Sequence, residues 1–174
     1  MKKNIVLIGF MGTGKTSIGR RLALRLKMKF VDTDSEIENI TGKTVARIIA
    51  RDGLIRFRSE EALLVKKLSQ QEGLVISTGG GIVLFPENVR LLKEKGTLIE
   101  LFATPQVIFN RLKKKKDRPL LMKGNMKEQI EALLKEREGA YDVAEFSVDT
   151  GSVSQEEAVE IIARYIKEKQ LFQK

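Results

Sequence analysis

The chain is 174 residues long and 42% hydrophobic, which allows one domain with a substantial core. Its 32 basic against 23 acidic residues leave a formal charge of +9, compatible with an anionic partner (nucleotide, acidic metabolite, nucleic acid or membrane surface) without choosing among them. It has no histidine and no cysteine, which excludes an imidazole base, a His or thiolate metal site, a thiol nucleophile and a disulfide, and leaves acid–base and metal chemistry to Asp, Glu, Lys, Ser, Thr and Tyr.

Met1-Lys2-Lys3 before Ile5-Val6-Leu7-Ile8 superficially resembles a signal peptide. The apolar run is short, however, and Gly-Thr-Gly-Lys-Thr follows it instead of a small-residue cleavage site. It reads as a first strand, Ile5–Ile8, and no stretch approaches the roughly 18 apolar residues of a membrane span. A helical stripe of Ile18, Leu22 and Leu26 follows, then a strand at Lys29–Val31. Ser35 with Glu38 has capping-box spacing and predicts a helix start there. Residues 37–68 are helical in pattern and inserted before the third strand, Leu74–Ser77. Gly96 predicts the end of a helix through Leu91–Lys95, and Thr97–Phe102 the fourth strand. Thr104-Pro105 reads as an N-cap followed by proline at the first helical position. Residues 113–127 are very basic with little apolar pattern. Ile130, Leu133 and Leu134 give a further helix, Glu145–Val148 a fifth strand, and Ser154 with Glu157 a capping box before Ala158, Ile161, Ile162 and Tyr165. Strands and helices alternate, and the near-continuous apolar runs suit strands covered on both faces, so the pattern predicts an α/β domain built on a parallel sheet.

Gly9-Phe10-Met11-Gly12-Thr13-Gly14-Lys15-Thr16 matches G-x-x-x-x-G-K-[ST] in full, between a predicted strand and a predicted helix. Backbone N–H groups of such a loop wrap phosphates, and the helix N-terminus adds positive potential. Gly12, Thr13, Gly14, Lys15, Thr16 and Ser17 are therefore the candidate nucleotide-phosphate residues, with Lys15 reaching the outer phosphates and the Thr16 hydroxyl on Mg²⁺. No guanine-reading Asn-Lys-x-Asp segment is present. The strand that would carry a second-motif acid, Leu74–Ser77, ends instead in Thr78-Gly79-Gly80-Gly81. Asp32 and Asp34 supply carboxylates at the end of the second strand, where ligands of open α/β sheets bind. Two residues apart in an extended segment, both are expected to face the phosphate loop. One would hold the metal and the other would contact an acceptor hydroxyl; a helix-capping role for Asp34 is the plainer alternative. Thr78 offers a hydroxyl to the same site, and the bare glycines allow close approach of phosphate and substrate.

Taken together, Gly9–Thr16, Asp32-Thr33-Asp34, Phe57-Arg58 before Glu60-Glu61, Thr78–Gly81, Arg118-Pro119-Leu120-Leu121, and Arg137 with Tyr141 resemble the shikimate kinase family across nearly the whole chain. The resemblance implies a three-layer P-loop kinase fold with a five-stranded parallel sheet flanked by helices. It implies one domain, 1–174, with a helical substrate-binding region at about 33–68 and a lid at about 113–127. It implies transfer of the ATP γ-phosphoryl group to the 3-hydroxyl of shikimate. By the same resemblance Asp34 contacts the reacting diol, Arg58 and Arg137 hold the substrate carboxylate, and Gly79, Gly80 and Gly81 line the substrate. Arg118 reaches the phosphates from the lid, Asp32 sits near Mg²⁺, and Arg111 packs on adenine. Lys15, Asp34 and Arg118 are then the catalytic set.

The chain also departs from the family pattern. Gly139 stands where the family often has proline, and loosens the turn after Arg137. Gly151–Gln155 offers no proline against adenine. On residues alone, Arg58 also reads as a surface arginine paired with Glu61 one turn on. Lys113–Lys116 reads as a solvated helix end instead of a nucleic-acid patch, since no aromatics interleave with it. The expected partners are shikimate and ATP, with no nucleic acid and no membrane, for a cytoplasmic monomer. A gluconate kinase and a non-catalytic nucleotide- or RNA-binding relative are the competing readings.

Overall fold

The structure is a computed structural model, and it describes residues 4–114 and 125–171. The elements run β1 (Asn4–Ile8), α1 (Lys15–Leu26), β2 (Lys29–Asp32), α2 (Thr33–Thr41), α3 (Val45–Asp52) and α4 (Leu54–Ser69). They continue with β3 (Leu74–Ser77), a single 3₁₀ turn (Ile82–Leu84), α5 (Pro86–Lys95), β4 (Gly96–Phe102), α6 (Pro105–Leu112), α7 (Met126–Glu136), β5 (Phe146–Asp149) and α8 (Gln155–Leu171). The five strands form one sheet in the order β2-β3-β1-β4-β5, and every pairing is parallel.

The alternation of side chains along β1 builds two cores. Val6 and Ile8 point to one face, where they meet Ile76, Leu98, Leu64 and Leu68. Ile5 and Leu7 point to the other, against Ile18, Leu22, Ile99, Ala158 and Ile162. All five β1 residues are buried, as a central strand with helices on both faces requires. Along the chain, β1 leads to β2 on one side of the sheet and β3 leads to β4 on the other. The carboxyl ends of β1 and β3 therefore flank the crevice where ligands of such sheets bind.

Two predicted helix boundaries change. Ser35 is not the cap of α2: β2 runs into the helix without a loop, so Asp32 is the N-cap and its Oδ1 accepts from the Ser35 backbone N–H at 3.1 Å. Glu38 turns instead to the Val45 N–H, at 2.8 Å, at the start of α3. Gly96 ends α5 by becoming the first residue of β4, with an extended φ of −125° in place of the left-handed cap. The Thr104 cap and the reciprocal Ser154–Glu157 capping bonds are present.

Candidate active site

Two clefts meet at the phosphate loop. The first, of about 550 Å³, is lined by Gly12, Thr13, Gly14, Ser17, Arg111, Thr150 and the 153–155 segment. The second, of about 530 Å³, is lined by Met11, Asp34, Phe57, Arg58, Gly79, Gly80, Gly81 and Arg137. Met11 and Gly12 are neighbours in the chain, so the loop is a wall common to both.

The loop delivers its predicted residues. Gly14 precedes α1 with φ of 97°, a left-handed conformation open to glycine, and no side chain caps the helix. The first-turn N–H groups are thus left uncapped at the end of the loop, as in helix N-termini that bind anions. Lys15 is buried, and its Nζ donates to the Gly9 and Phe10 carbonyls at 2.8 Å each. The Thr16 hydroxyl donates to Asp32 Oδ2 at 2.7 Å, and the Ser77 hydroxyl lies 3.4 Å from it. One carboxylate and two hydroxyls form a hard, oxygen-only set. Such oxygen donors would suit a hard divalent cation such as Mg²⁺.

The aspartates do not face the same way, because only Asp32 is extended and Asp34 already lies in the first turn of α2. Asp32 serves the loop threonine and the helix cap. Asp34 turns into the second cleft, beside Gly79. Thr78 is buried with its hydroxyl donated to the Leu7 carbonyl at 2.9 Å, so it braces β1 against β3 and offers nothing to the loop. The hydroxyl near the Thr16–Asp32 pair belongs to Ser77, one residue earlier, which ends the strand.

Arg58 makes its expected pairing with Glu61, but from a half-buried position facing a cleft and not from the surface. It lines the second cleft and donates from Nη1 to Glu61 Oε2 at 2.8 Å. Its guanidinium lies 5.3 Å from the ring centres of both Phe57 and Phe85. Glu61 has no exposed surface at all. Burial pushes its carboxyl above the usual carboxylate range, Arg58 opposes that shift, and the Asp34 charge adds to it. Arg137 is also buried, stacked over Phe10 at 5.4 Å. Among the described residues its Nε and Nη1 have no hydrogen-bond partner, an uncommon state for buried donors. Gly139 does not loosen the turn that carries it. With φ of 76° it occupies the left-handed region that glycine tolerates, and the turn is closed by the Ala140 N–H donating to the Arg137 carbonyl at 3.0 Å. That turn also brings Tyr141, whose hydroxyl donates to the Gly80 carbonyl at 2.7 Å.

The glycine run answers to space. A Cβ on Gly79 would lie 3.0 Å from Glu61 Oε1 and 3.1 Å from Asp34 Oδ1. On Gly80 it would lie 3.3 Å from the Met11 nitrogen and 3.4 Å from Arg137 Nη1. On Gly81 it would lie 3.0 Å from the Arg58 guanidinium carbon. Arg111 reaches the first cleft, where it donates to Gly12 and Thr150 oxygens. Arg118 and the central lid expectation lie outside the described residues. The structure thus brings together Lys15, Thr16 and Asp32 around the loop, and Asp34, Arg58, Gly79–Gly81 and Arg137 around the second cleft. Glu61, Ser77, Tyr141 and Thr150 join them. Glu61 had a signal in its spacing from Arg58; nothing in the sequence marked Thr150.

Comparison with known proteins agrees with this layout. The family model described as shikimate kinase matches residues 11–167. A shikimate kinase of Pelotomaculum thermopropionicum is 71% identical over 166 residues, covering 95% of this chain and 96% of that one. One from Desulforudis audaxviator is 56% identical over 167 residues, covering 96% and 88%. Among solved structures, a shikimate kinase from Acinetobacter baumannii in complex with shikimate superposes with a TM-score of 0.93 at 34% identity, covering 98% of this chain and 96% of that one. With a family model spanning most of its length and relatives this similar, the chain belongs to the shikimate kinase family: it is a P-loop kinase that phosphorylates shikimate with ATP.

Proposed function

We propose that the two clefts are the halves of one phosphoryl-transfer site, with ATP in the first, shikimate in the second, and the γ-phosphoryl group passing to the 3-hydroxyl. The observation that carries this is the wall common to both clefts: Met11 and Gly80 line the second cleft, while Gly12 lines the first. A γ-phosphate held by the loop then faces the substrate directly, and phosphoryl transfer asks chiefly for such positioning and charge neutralisation.

Lys15 leaves the loop carbonyls to meet the outer phosphates. Thr16 and Asp32, with Ser77 beside them, hold Mg²⁺. When bound, the ion neutralises phosphate charge. Asp34 orients the 3-hydroxyl and takes its proton as the oxygen bonds to phosphorus and the bond to the β-phosphate oxygen breaks. Arg58 and Arg137 grip the carboxylate with guanidinium forks; the orphaned donors of Arg137 support that assignment. The backbone of Gly79, Gly80 and Gly81 lies along the substrate. Arg118 supplies lid charge at the phosphates, and Arg111 flanks the adenine side of the first cleft. Residues 33–68 serve as the substrate-binding region and 113–127 as the lid of a single domain.

The same proposal makes the chain a cytoplasmic monomer without nucleic-acid or membrane partners. Among the described residues, no helix is long and apolar enough to cross a membrane. The test is ADP production by purified protein with Mg²⁺, ATP and a panel of hydroxy-acids. Turnover that requires shikimate is expected. Preference for gluconate, or salt-sensitive RNA binding without shikimate-dependent turnover, refutes the reading.

A further inference from the structure

The phosphate loop has a carbonyl problem. To receive an anion, its N–H groups must point inward, so its carbonyls must find donors elsewhere. Most of those donors can be named. The Gly9 and Phe10 carbonyls accept from Lys15 Nζ, and Phe10 accepts also from the Thr13 hydroxyl at 2.8 Å. The Gly14 carbonyl accepts from the Ile18 N–H at 2.9 Å as α1 begins. The Gly12 carbonyl accepts from Arg111 Nη1 at 3.2 Å, and the Thr13 carbonyl from the Thr150 hydroxyl at 2.7 Å. The last two donors stand outside the loop, on α6 and just past β5.

Thr150 has one hydroxyl proton and two carbonyls in range, Thr13 at 2.7 Å and Phe102 at 3.2 Å. Phe102 already accepts the Thr150 backbone N–H at 2.9 Å. Arg111 Nη1 donates to Thr150 Oγ1 at 3.0 Å and Nη2 to the Thr150 carbonyl at 2.6 Å. The Nη1 donor occupies one of the hydroxyl oxygen's lone pairs, and the hydroxyl proton goes to the shorter contact, the Thr13 carbonyl. Thr150 is 4% exposed, so water does not readily replace this donor.

We infer that Thr150, oriented by Arg111, is a positioning residue that holds the phosphate loop in its anion-receiving conformation. The inference rests on the reading of this loop as the nucleotide phosphate site. Its consequence is specific. When a nucleotide draws Lys15 away from the Gly9 and Phe10 carbonyls, the loop loses internal donors at the moment it must hold its shape. The donors from Thr150 and Arg111 remain in place. Thr150 therefore acts on nucleotide affinity through the Thr13 carbonyl, without touching the phosphates itself.

The test is calorimetric titration of Thr150→Val and Thr150→Ser with ATP and with inorganic tripolyphosphate, in the absence of shikimate, so that a failure of shikimate turnover leaves the result readable. Valine matches the shape of threonine but has no proton to donate. It should weaken ATP and tripolyphosphate alike by about tenfold, because a buried carbonyl is left unpaired. Serine keeps the hydroxyl and should stay within about twofold of wild type. A separate shikimate titration should change by less than about twofold in both variants. Normal tripolyphosphate affinity in Thr150→Val overturns the inference. So does Thr150→Ser as weak as Thr150→Val, and so does an equal loss of shikimate affinity. If Thr150→Val gives no cooperative thermal transition, Thr150→Ala replaces it with the same expectations.

Discussion

Gly81→Ala tests whether the glycine run exists to make room for Arg58, the arginine proposed to hold the substrate. Gly81 has φ of −97°, an ordinary value for alanine, so the substitution adds no backbone strain. It adds one methyl group. That carbon would lie 3.0 Å from Arg58 Cζ and 3.1 Å from Nη1, with Nη2 nearer still. Restoring ordinary contact requires the guanidinium to move by about 1 Å. The Arg58–Glu61 bond is 2.8 Å long, and a displacement of that size can carry it beyond hydrogen-bonding range. Hydrogen bonds to charged groups contribute about 1.5–3 kcal/mol, and the substrate carboxylate would lose a comparable contact. Shikimate affinity should fall by about 10- to 100-fold. Nucleotide affinity should stay within about twofold, since Arg58 lies across the loop from the first cleft. The moved group is the free end of a flexible side chain, so the protein should fold, with a melting temperature lower by about 3–8 °C for the weakened buried pair. Calorimetric titration with each ligand and a thermal melt read all three quantities. A folded variant that binds shikimate normally, or that loses ATP affinity in parallel, refutes the argument.

Lys15→Ala should reduce turnover by at least about a hundredfold through loss of phosphate neutralisation; wild-type rates in a coupled ADP assay would mean that the loop is not catalytic. Tyr141→Phe removes the donor to the Gly80 carbonyl and should raise the KM for shikimate by about three- to tenfold with the KM for ATP unchanged; equal changes in both would show a general effect on the fold. Glu61 gives a pH signature. Its carboxyl is raised above the ordinary 4.5 by burial, against the pull of Arg58. The folded protein then holds that proton more tightly than the unfolded chain, so the stabilisation is complete below the unfolded value and is lost as pH rises through the folded one. Glu61→Gln cannot titrate, so its stability relative to wild type should improve from about pH 4 to about pH 7 in urea unfolding. A difference that stays constant with pH would contradict the assignment.

The strands were legible because apolar runs of four or five residues between turn signals have few other readings; every expected strand lies within one residue of an observed end. The phosphate loop was legible because its spacing is itself the geometry. What the sequence hid were relations across long separations. Arg137 and Phe10 stack, Tyr141 reaches Gly80, and Thr150 reaches Thr13, yet neither spacing nor periodicity links them. Gly139 conceals its role for a related reason. A glycine in isolation reads as slack, whereas one with φ of 76° closing a turn is a constraint. The aspartate pair failed on a boundary: one residue of helix between Asp32 and Asp34 turns parallel side chains apart.

The same boundary bears on why β3 ends without the carboxylate proposed for the metal. An acid just past β3, at position 78, would point its charge where Thr78 now donates to the Leu7 carbonyl, an oxygen facing an oxygen in a buried site. Position 77 does face the loop threonine, but there the strand carries serine. The sheet register supplies the rest, because Asp32 of β2 pairs directly with Ser77 of β3. The carboxylate therefore reaches Thr16 from the neighbouring strand, beside the hydroxyl that occupies the usual acid's place. β3 is thereby released to end in glycines. A run of bare backbone there lets Asp34, Glu61 and Arg137 close in on the second cleft, each 3.0–3.4 Å from where a Cβ would stand, with Arg58 nearer still. Carrying the proposed metal carboxylate on β2 and stripping β3 of side chains are thus two parts of one arrangement. It predicts that Ser77→Asp, which returns the acid to β3 beside Asp32, places two carboxylates at one site. Repulsion should then weaken nucleotide binding when Mg²⁺ is absent and ease when Mg²⁺ is added. ATP titrations with and without Mg²⁺ decide this, and equal affinity for Ser77→Asp and wild type without the ion would refute it.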